Sequence, residues 1–321
     1  MTPPPLPGER HLLVTGAGLG TSLRTACAPH FATITEVVQP VSPAAILEAG
    51  HHATDYILGG PEYLGRTMLE SLPRLRRVIL LGTGVPSFVD RDAVRARGID
   101  LRNTPHMNAD SVAEFAVAAL VMMAARSAAS GVGVRTGTHW RQTPWRTLSD
   151  SRIGLVGLGH IGEALARRLR AMGARDLRYC SRTRKPRLEA DLGIRWQPLA
   201  GLIGACHAVC FHVPYSAATH GLIDDGLLRG GSADLTLLCF SNPRIVDPAA
   251  IRRALAEGRL GHLYLDGYFR EWTENRGAAE DPEGLLGLPP EQVTVTSHIA
   301  AQTTVAIAQQ LARAVEVLIE A

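Results

Sequence analysis

The stretch Ile153-Gly154-Leu155-Val156-Gly157-Leu158-Gly159-His160-Ile161-Gly162, continued by Glu163-Ala164-Leu165-Ala166-Arg167-Arg168-Leu169, decides the fold. A short apolar run reads as a buried parallel strand, three glycines in G-x-G-x-x-G spacing make a turn, and apolar residues at helical spacing follow. Gly157 turns the chain off the strand, Gly159 lets backbone approach a pyrophosphate, and Gly162 lets the new helix lie close to the sheet. The N–H groups and positive dipole end of that helix, beginning at His160 and Ile161, then suit an anion. The pattern predicts a dinucleotide site, the alternative being a tight strand-to-helix turn without a ligand.

The next strand and its exit, Leu177-Arg178-Tyr179-Cys180-Ser181-Arg182-Thr183-Arg184-Lys185, select the dinucleotide. An NAD site places a carboxylate on the adenosine ribose roughly twenty residues beyond the glycines, and this stretch contains none. Ser181 with Arg182, helped by Arg184 or Lys185, suits a 2′-phosphate through charge-assisted hydrogen bonds. NADP(H) is therefore expected in preference to NAD(H). A solvated basic loop is the competing reading.

A chain of 321 residues can bury a large core and should divide into two domains. A net charge of +3 and few aromatics give no basis for a nucleic-acid surface. The proline-rich start, Met1 to Arg10, lacks the apolar core of a signal peptide and reads as an extended lead-in. The longest apolar stretch, Phe115 to Ala125, is too short to span a bilayer, so a cytoplasmic location without a membrane partner is expected. The five cysteines lack framework spacing, as reduced thiols do. Cys206-His207-Ala208-Val209-Cys210-Phe211-His212 imitates a metal cluster, but reads as a buried strand, and no metal is expected.

Working outward, His11–Gly16 reads as a first strand, and Gly16-Ala17-Gly18-Leu19-Gly20-Thr21 imitates the nucleotide turn. Thr21 holds the third glycine position and the following segment is poorly amphipathic, so a loop is expected there. Further strands are expected at 34–38, 56–58, 77–81 and 100–103, with helices at 44–49, 63–71 and 91–97. A long apolar helix from Ala109 to about Arg126 is expected to face another domain or a second subunit. After a polar stretch around His139-Trp140-Arg141, strands are expected at 178–180, 208–212, 235–239, 263–266 and 293–296, before a terminal helix over 303–320 that could return to the first domain. Alternating strands and helices imply an α/β fold with open parallel sheets.

Ligand sites in such sheets lie at the carboxyl ends of strands. Three segments fall there: Ser241-Asn242-Pro243-Arg244-Ile245-Val246-Asp247, Leu265-Asp266-Gly267-Tyr268-Phe269-Arg270-Glu271, and Thr294-Val295-Thr296-Ser297-His298-Ile299-Ala300. Together with Gly82-Thr83-Gly84-Val85, Arg97-Gly98-Ile99, Asn103-Thr104-Pro105, Ser111-Val112-Ala113-Glu114, His212-Val213-Pro214 and Thr219-His220-Gly221-Leu222-Ile223, the chain resembles the D-isomer-specific 2-hydroxyacid dehydrogenase family. The Ser181-Arg182 pattern is similar to that of its NADPH-using glyoxylate/hydroxypyruvate reductases.

The resemblance implies two doubly wound parallel-sheet domains with the active site in the cleft. One is a flavodoxin-like substrate domain, 1–106 plus 299–321, and the other a Rossmann dinucleotide domain, 107–298. It also implies a homodimer joined through the dinucleotide domains. Cofactor contacts are implied at Gly157, Gly159, His160, Ile161 and Gly162, at Ser181, Arg182 and Thr183, at Val213, Pro214 and Thr219, and at Asp266 and His298. His298 resembles the general acid that gives a proton to the carbonyl oxygen as hydride arrives. Glu271 would raise its pKa by charge and fix its orientation. Asp266 is expected to meet the nicotinamide carboxamide, or else to cap a strand end. The backbone amides of Thr83 and Gly84 are expected to bind the substrate carboxylate.

One position breaks the family pattern. An arginine is expected five residues before the Asp of the Val246-Asp247 pair, and Asn242 stands there, with Arg244 two residues too close behind Pro243. Asparagine can donate a hydrogen bond but cannot neutralise an anion, whereas arginine's planar fork does both. Either the substrate's carboxylate is masked or replaced, or Arg244 reaches the pocket by a local rearrangement and an ordinary 2-oxo acid is reduced. Ser297 and Trp272 also replace prolines, and the loop from Trp272 to Gly287 is long and polar. The first functional expectation is an NADPH-dependent reductase of a 2-oxo acid, or of a 2-oxo acid derivative with a masked carboxylate, giving a 2-hydroxy product, with Asn242 or Arg244 as carbonyl ligand. The alternatives are a non-catalytic NADP(H)-binding sensor or partner, and an imine or enoyl reductase on the same scaffold.

Overall fold

The computed structural model describes residues 9–38, 41–60, 62–137, 144–269 and 281–320. The lead-in 1–8, the stretch His139-Trp140-Arg141, Glu271, Trp272 and the loop up to residue 280 lie outside the described residues. These divide into two compact units, one taking residues up to 108 with those from 303 onward, the other those from 109 to 302.

The first unit holds five strands: β1 His11–Gly16, β2 Thr33–Val38, β3 Asp55–Leu58, β4 Arg77–Leu80 and β5 Asp100–Asn103. They pair in parallel in the order β2-β1-β3-β4-β5, the flavodoxin-like order. The central strand β3 is buried along its whole length, as a strand covered on both faces must be. One face of the sheet meets Ile46, Leu64, Leu69 and Leu72, and the other meets the terminal helix Thr304–Ile319 through Leu311, Ala314, Val315 and Leu318.

The segment after β1 departs from the expected loop. Gly20–Cys27 is a helix, and Leu19 and Cys27 are buried with the terminal helix and β1. Cys27 is the buried residue of this short helix, and packing against a segment distant in sequence stabilises it. The same geometry explains why this turn only imitates a nucleotide site. The Glu36 carboxylate accepts the Leu19 N–H at 3.0 Å and pairs with Arg24 at 2.7 Å, so a side chain of the chain itself fills the anion position.

The second unit holds seven strands: β6 Arg152–Val156, β7 Asp176–Cys180, β8 Arg195–Trp196, β9 Ala208–Phe211, β10 Ser232–Cys239, β11 Leu260–Asp266 and β12 Val293–Thr296. Their order is β12-β11-β10-β9-β6-β7-β8, with every pair parallel. Strand order reverses between β6 and β9, which is where doubly wound sheets open a crevice at their carboxyl ends. The apolar helix Ala109–Ala124 buries Ala113, Ala116, Val117 and Leu120 inside its own unit, with Leu165 and Leu169 of the helix His160–Ala171, and leaves Met122 exposed. A second helix, Ser127–Thr136, follows in a segment to which the sequence reading assigned no element. No helix among the described residues is long and apolar enough to cross a membrane.

Cys206 and Cys210 enter different core clusters, on separate sides of the seven-stranded sheet. Burial pushes the Cys206 thiol up to about 11 and that of Cys210 further still, so both behave as small apolar groups.

Candidate active site

The glycine turn after β6 has the geometry of a phosphate cradle. Gly157 adopts φ +92°, its N–H donates to the Cys180 carbonyl at 2.8 Å, and a Cβ there would meet the His212 carbonyl oxygen at 2.8 Å. A Cβ on Gly162 would overlap the Gly157 carbonyl oxygen, whereas a Cβ on Gly159 would meet open space. Two glycines are thus required by the turn itself, and the third borders the space that a diphosphate needs. The helix His160–Ala171 starts at this point with no side-chain cap, so its first-turn amides, including those of His160 and Ile161, have no intrahelical acceptors. These residues fit a dinucleotide.

The exit of β7 is braced from within. Ser181 Oγ donates to the Thr183 carbonyl at 2.6 Å, and Trp196 Nε1 donates to the Ser181 carbonyl at 3.4 Å. Arg184, a candidate helper for a 2′-phosphate, is held by both carboxylate oxygens of Glu189 at 3.1 and 2.5 Å. Glu189 also accepts from the buried Tyr179 hydroxyl at 2.6 Å. Arg182 and Thr183 are exposed, and Arg182 forms no ion pair among the described residues. Of the two candidate guanidiniums, Arg182 is therefore the one not committed to a carboxylate among the described residues. Glu189 escaped the sequence reading, although its five-residue offset from Arg184 across a turn was a usable signal.

Beyond β9, Val213 N–H donates to Ser241 Oγ at 2.9 Å, tying the Val213-Pro214 bend to the end of β10. Thr219 Oγ1 donates back to the Pro214 carbonyl at 2.9 Å, closing that loop on itself. His212 stacks on Phe240 with ring centroids 5.3 Å apart, and both its ring nitrogens are shut off from solvent without a hydrogen-bond partner. Burial holds its pKa down at about 3. The unfolded chain, with an ordinary histidine, takes up a proton near pH 6.5 while the folded chain does not. Stability is thus fully present above pH 6.5 and is lost as pH falls toward 3. Between pH 7 and pH 5 the expected loss from this residue is about 2 kcal/mol. Urea unfolding of wild type and His212→Phe at the two pH values should show that much less pH dependence in the variant.

Asn242 caps the short turn Pro243–Ile245, with its Oδ1 accepting the Arg244 N–H at 3.0 Å. The side-chain amide of Asn242 remains a donor. Arg244 is exposed, and its guanidinium lies 5.9 Å from the Tyr215 ring centroid, beside a hollow that it lines with His220, Phe269 and Glu283.

Asp266, at the end of β11, is buried and caps the next segment. Its Oδ1 accepts from the Thr296 hydroxyl at 2.7 Å and the Ile299 N–H at 2.9 Å, and its Oδ2 accepts the Ala300 N–H at 3.0 Å. One acceptor position remains on Oδ2. The turn so held contains His298 at φ +56°, a left-handed conformation uncommon for a residue with a Cβ. A carboxylate and a strand-end hydroxyl thereby fix the path of the backbone that carries the imidazole. Thr296 was missed from the sequence, although parallel pairing opposite Asp266 is what brings the two together. β10, β11 and β12 are neighbours, so Asn242, Asp266 and His298 follow adjacent strand ends.

In the five-stranded unit the turn after β4 is braced by two side-chain hydrogen bonds. Gly82 adopts φ +116°, donates its N–H to Thr104 Oγ1 at 3.0 Å and accepts from Asn103 Nδ2 at 2.9 Å. Thr83 and Gly84 follow at the start of the short helix Val85–Phe88, Thr83 being exposed.

Residues 117–300 match the model of a family described as D-isomer specific 2-hydroxyacid dehydrogenase, NAD binding domain. The glyoxylate reductase of Thermococcus kodakarensis is 34% identical over 251 residues, which cover 75% of this chain and 72% of that protein. Among solved structures, the pyruvate reductase of Chlamydomonas reinhardtii has a TM-score of 0.79 at 21% identity, covering 97% of this chain and 96% of the other. The D-lactate dehydrogenase of Aquifex aeolicus, complexed with NAD and lactic acid, has a TM-score of 0.79 at 21% identity, covering 96% and 94%. These two structural likenesses speak for the fold.

Proposed function

The chain belongs to the D-isomer specific 2-hydroxyacid dehydrogenase family, and from that premise we propose that it is an NADPH-dependent reductase of a 2-oxo acid, giving the 2-hydroxy acid. Members of the family are oxidoreductases acting on the CH–OH/C=O pair of hydroxy acids. One observation carries the reading to this chain: a glycine cradle with open space at Gly159 shares the carboxyl edge of one sheet with the segments bearing Asn242, Asp266 and His298.

When bound, the reduced nicotinamide supplies the hydride for the carbonyl carbon. The protein's own residues do the rest. His298 donates a proton to the carbonyl oxygen as a general acid, and Glu271 keeps its imidazole charged and oriented. The amide of Asn242 donates to the same oxygen, in preference to Arg244, whose guanidinium lies over Tyr215. The amides of Thr83 and Gly84 receive the substrate's carboxylate. Gly157, Gly159, His160, Ile161 and Gly162 hold the diphosphate, Val213, Pro214 and Thr219 border the dinucleotide, and the last acceptor position of Asp266 takes the carboxamide N–H.

In this reading the five-stranded unit is the substrate domain and the seven-stranded unit the dinucleotide domain. The enzyme works as a cytoplasmic homodimer. The test is NADPH oxidation, followed by absorbance, with glyoxylate, hydroxypyruvate and pyruvate. At least one should be turned over, and tight NADPH binding without turnover of any carbonyl compound would defeat the proposal.

The preference for NADPH rests on Ser181, Thr183 and above all the exposed guanidinium of Arg182. A charge-assisted contact of that kind contributes about 1.5–3 kcal/mol. Arg182→Ala should therefore raise KM for NADPH about ten- to hundred-fold while leaving KM for NADH nearly unchanged. Equal losses with both coenzymes would show that the basic loop reads no phosphate.

A further inference from the structure

Asp266 has a single acceptor position left, and the hydroxyl that fills one of the others has a partner of its own. The Tyr264 hydroxyl lies 3.0 Å from Thr296 Oγ1, which in turn lies 2.7 Å from Asp266 Oδ1 and 3.3 Å from the Leu265 carbonyl oxygen. Tyr264 and Asp266 are two residues apart on β11 and so share one face of the sheet, where the register sets Thr296 opposite Asp266. All of these residues belong to the seven-stranded unit.

The direction of the protons in this chain follows from the donors available. Threonine carries one O–H, a carboxylate and a carbonyl only accept, and Asp266 takes backbone N–H donors on both of its oxygens. If Thr296 gave its proton to Tyr264, its lone pairs would face a carboxylate oxygen at 2.7 Å. Thr296 therefore donates to Asp266, and Tyr264 donates to Thr296. Tyr264 is 3% exposed, and burial pushes its hydroxyl above the usual tyrosine pKa, so the donor keeps its proton. Its ring packs with those of Phe240 and Phe115, at centroid distances of 5.8 and 6.5 Å.

Donation by Tyr264 matters because the Thr296 hydroxyl has two acceptors within reach. Turned toward Leu265, it would leave Oδ1 with an empty position, and an incoming amide would meet Asp266 at two places rather than one. A donated hydrogen bond polarises the hydroxyl that receives it, and the gain is largest where the chain ends on a charged acceptor.

We infer that Tyr264 is a positioning residue for the coenzyme: through Thr296 it keeps Oδ1 of Asp266 filled, so that the carboxamide N–H is held at the one position left on Oδ2. The inference rests on the reductase reading above, in which Asp266 meets that carboxamide. Tyr264 acts through Thr296 and Asp266 and takes no part in proton transfer to the substrate.

The test uses Tyr264→Phe, which removes the hydroxyl and keeps the ring, so the fold should persist in a thermal melt. Fluorescence titration compares the reduced coenzyme that wild type binds better, NADPH or NADH, with its acetylpyridine analogue, whose methyl ketone offers no N–H. The variant should lose about three- to ten-fold in affinity for the natural coenzyme and little for the analogue. Thr296→Val should do the same, and Tyr264→Phe should add nothing in the Thr296→Val background. Unchanged affinity, equal losses for coenzyme and analogue, or additive losses in the double variant would each overturn the role of Tyr264 while leaving the reductase reading intact. A wild type that binds neither compound removes both.

Discussion

His298→Asn should lower kcat for a 2-oxo acid by about 10²–10⁴-fold, the usual contribution of a positioned general acid, while the NADPH dissociation constant stays nearly unchanged. Asparagine is the informative replacement. Position 298 has φ +56°, and asparagine enters the left-handed region more readily than most residues. The Asp266 bonds to the Ile299 and Ala300 amides should therefore persist, and only the proton donor is lost. The check pairs steady-state kinetics with a fluorescence titration of NADPH and a thermal melt. Wild-type kcat in this variant would remove the imidazole from the reaction.

The second large effect separates two glycines a few residues apart. Gly162→Ala places a methyl group into the Gly157 carbonyl oxygen, so the turn must open. Overpacking of this kind costs about 1–3 kcal/mol, seen as a lowered Tm together with lost NADPH binding. Gly159→Ala meets nothing within 4 Å, and its backbone, at φ −87°, is one that alanine adopts easily. Its Tm should stay near wild type, yet NADPH affinity should fall at least about ten-fold, because the methyl group occupies the space that the diphosphate needs. Wild-type affinity in Gly159→Ala would mean that no diphosphate approaches this backbone.

What the sequence showed and what it hid follow from the range of the interactions involved. The strand, glycine turn and helix around residue 157 were legible because each is written in a short window: an apolar run, fixed glycine spacing, a helical stripe. The strand ends bearing Asn242, Asp266 and His298 were legible for the same reason. The helix Gly20–Cys27 was not, because it is held by a terminal helix nearly the whole chain away. The direction in which Ala109–Ala124 buries its face was equally hidden, since an apolar stripe does not name its partner. Asp266 was read as either a cofactor contact or a cap. Its three hydrogen bonds with the 296–300 segment show the cap and leave a single acceptor position for anything else. Arg184 looked like a phosphate ligand because its counter-ion, Glu189, belongs to the following helix.

Glu36 gives the molecule a consequence of its own. At the first glycine turn a tethered competitor is always present, at a local concentration that no dissolved phosphate ester matches. Of the chain's two strand-turn-helix openings of similar spelling, the first is thus sealed from within by a single acidic side chain.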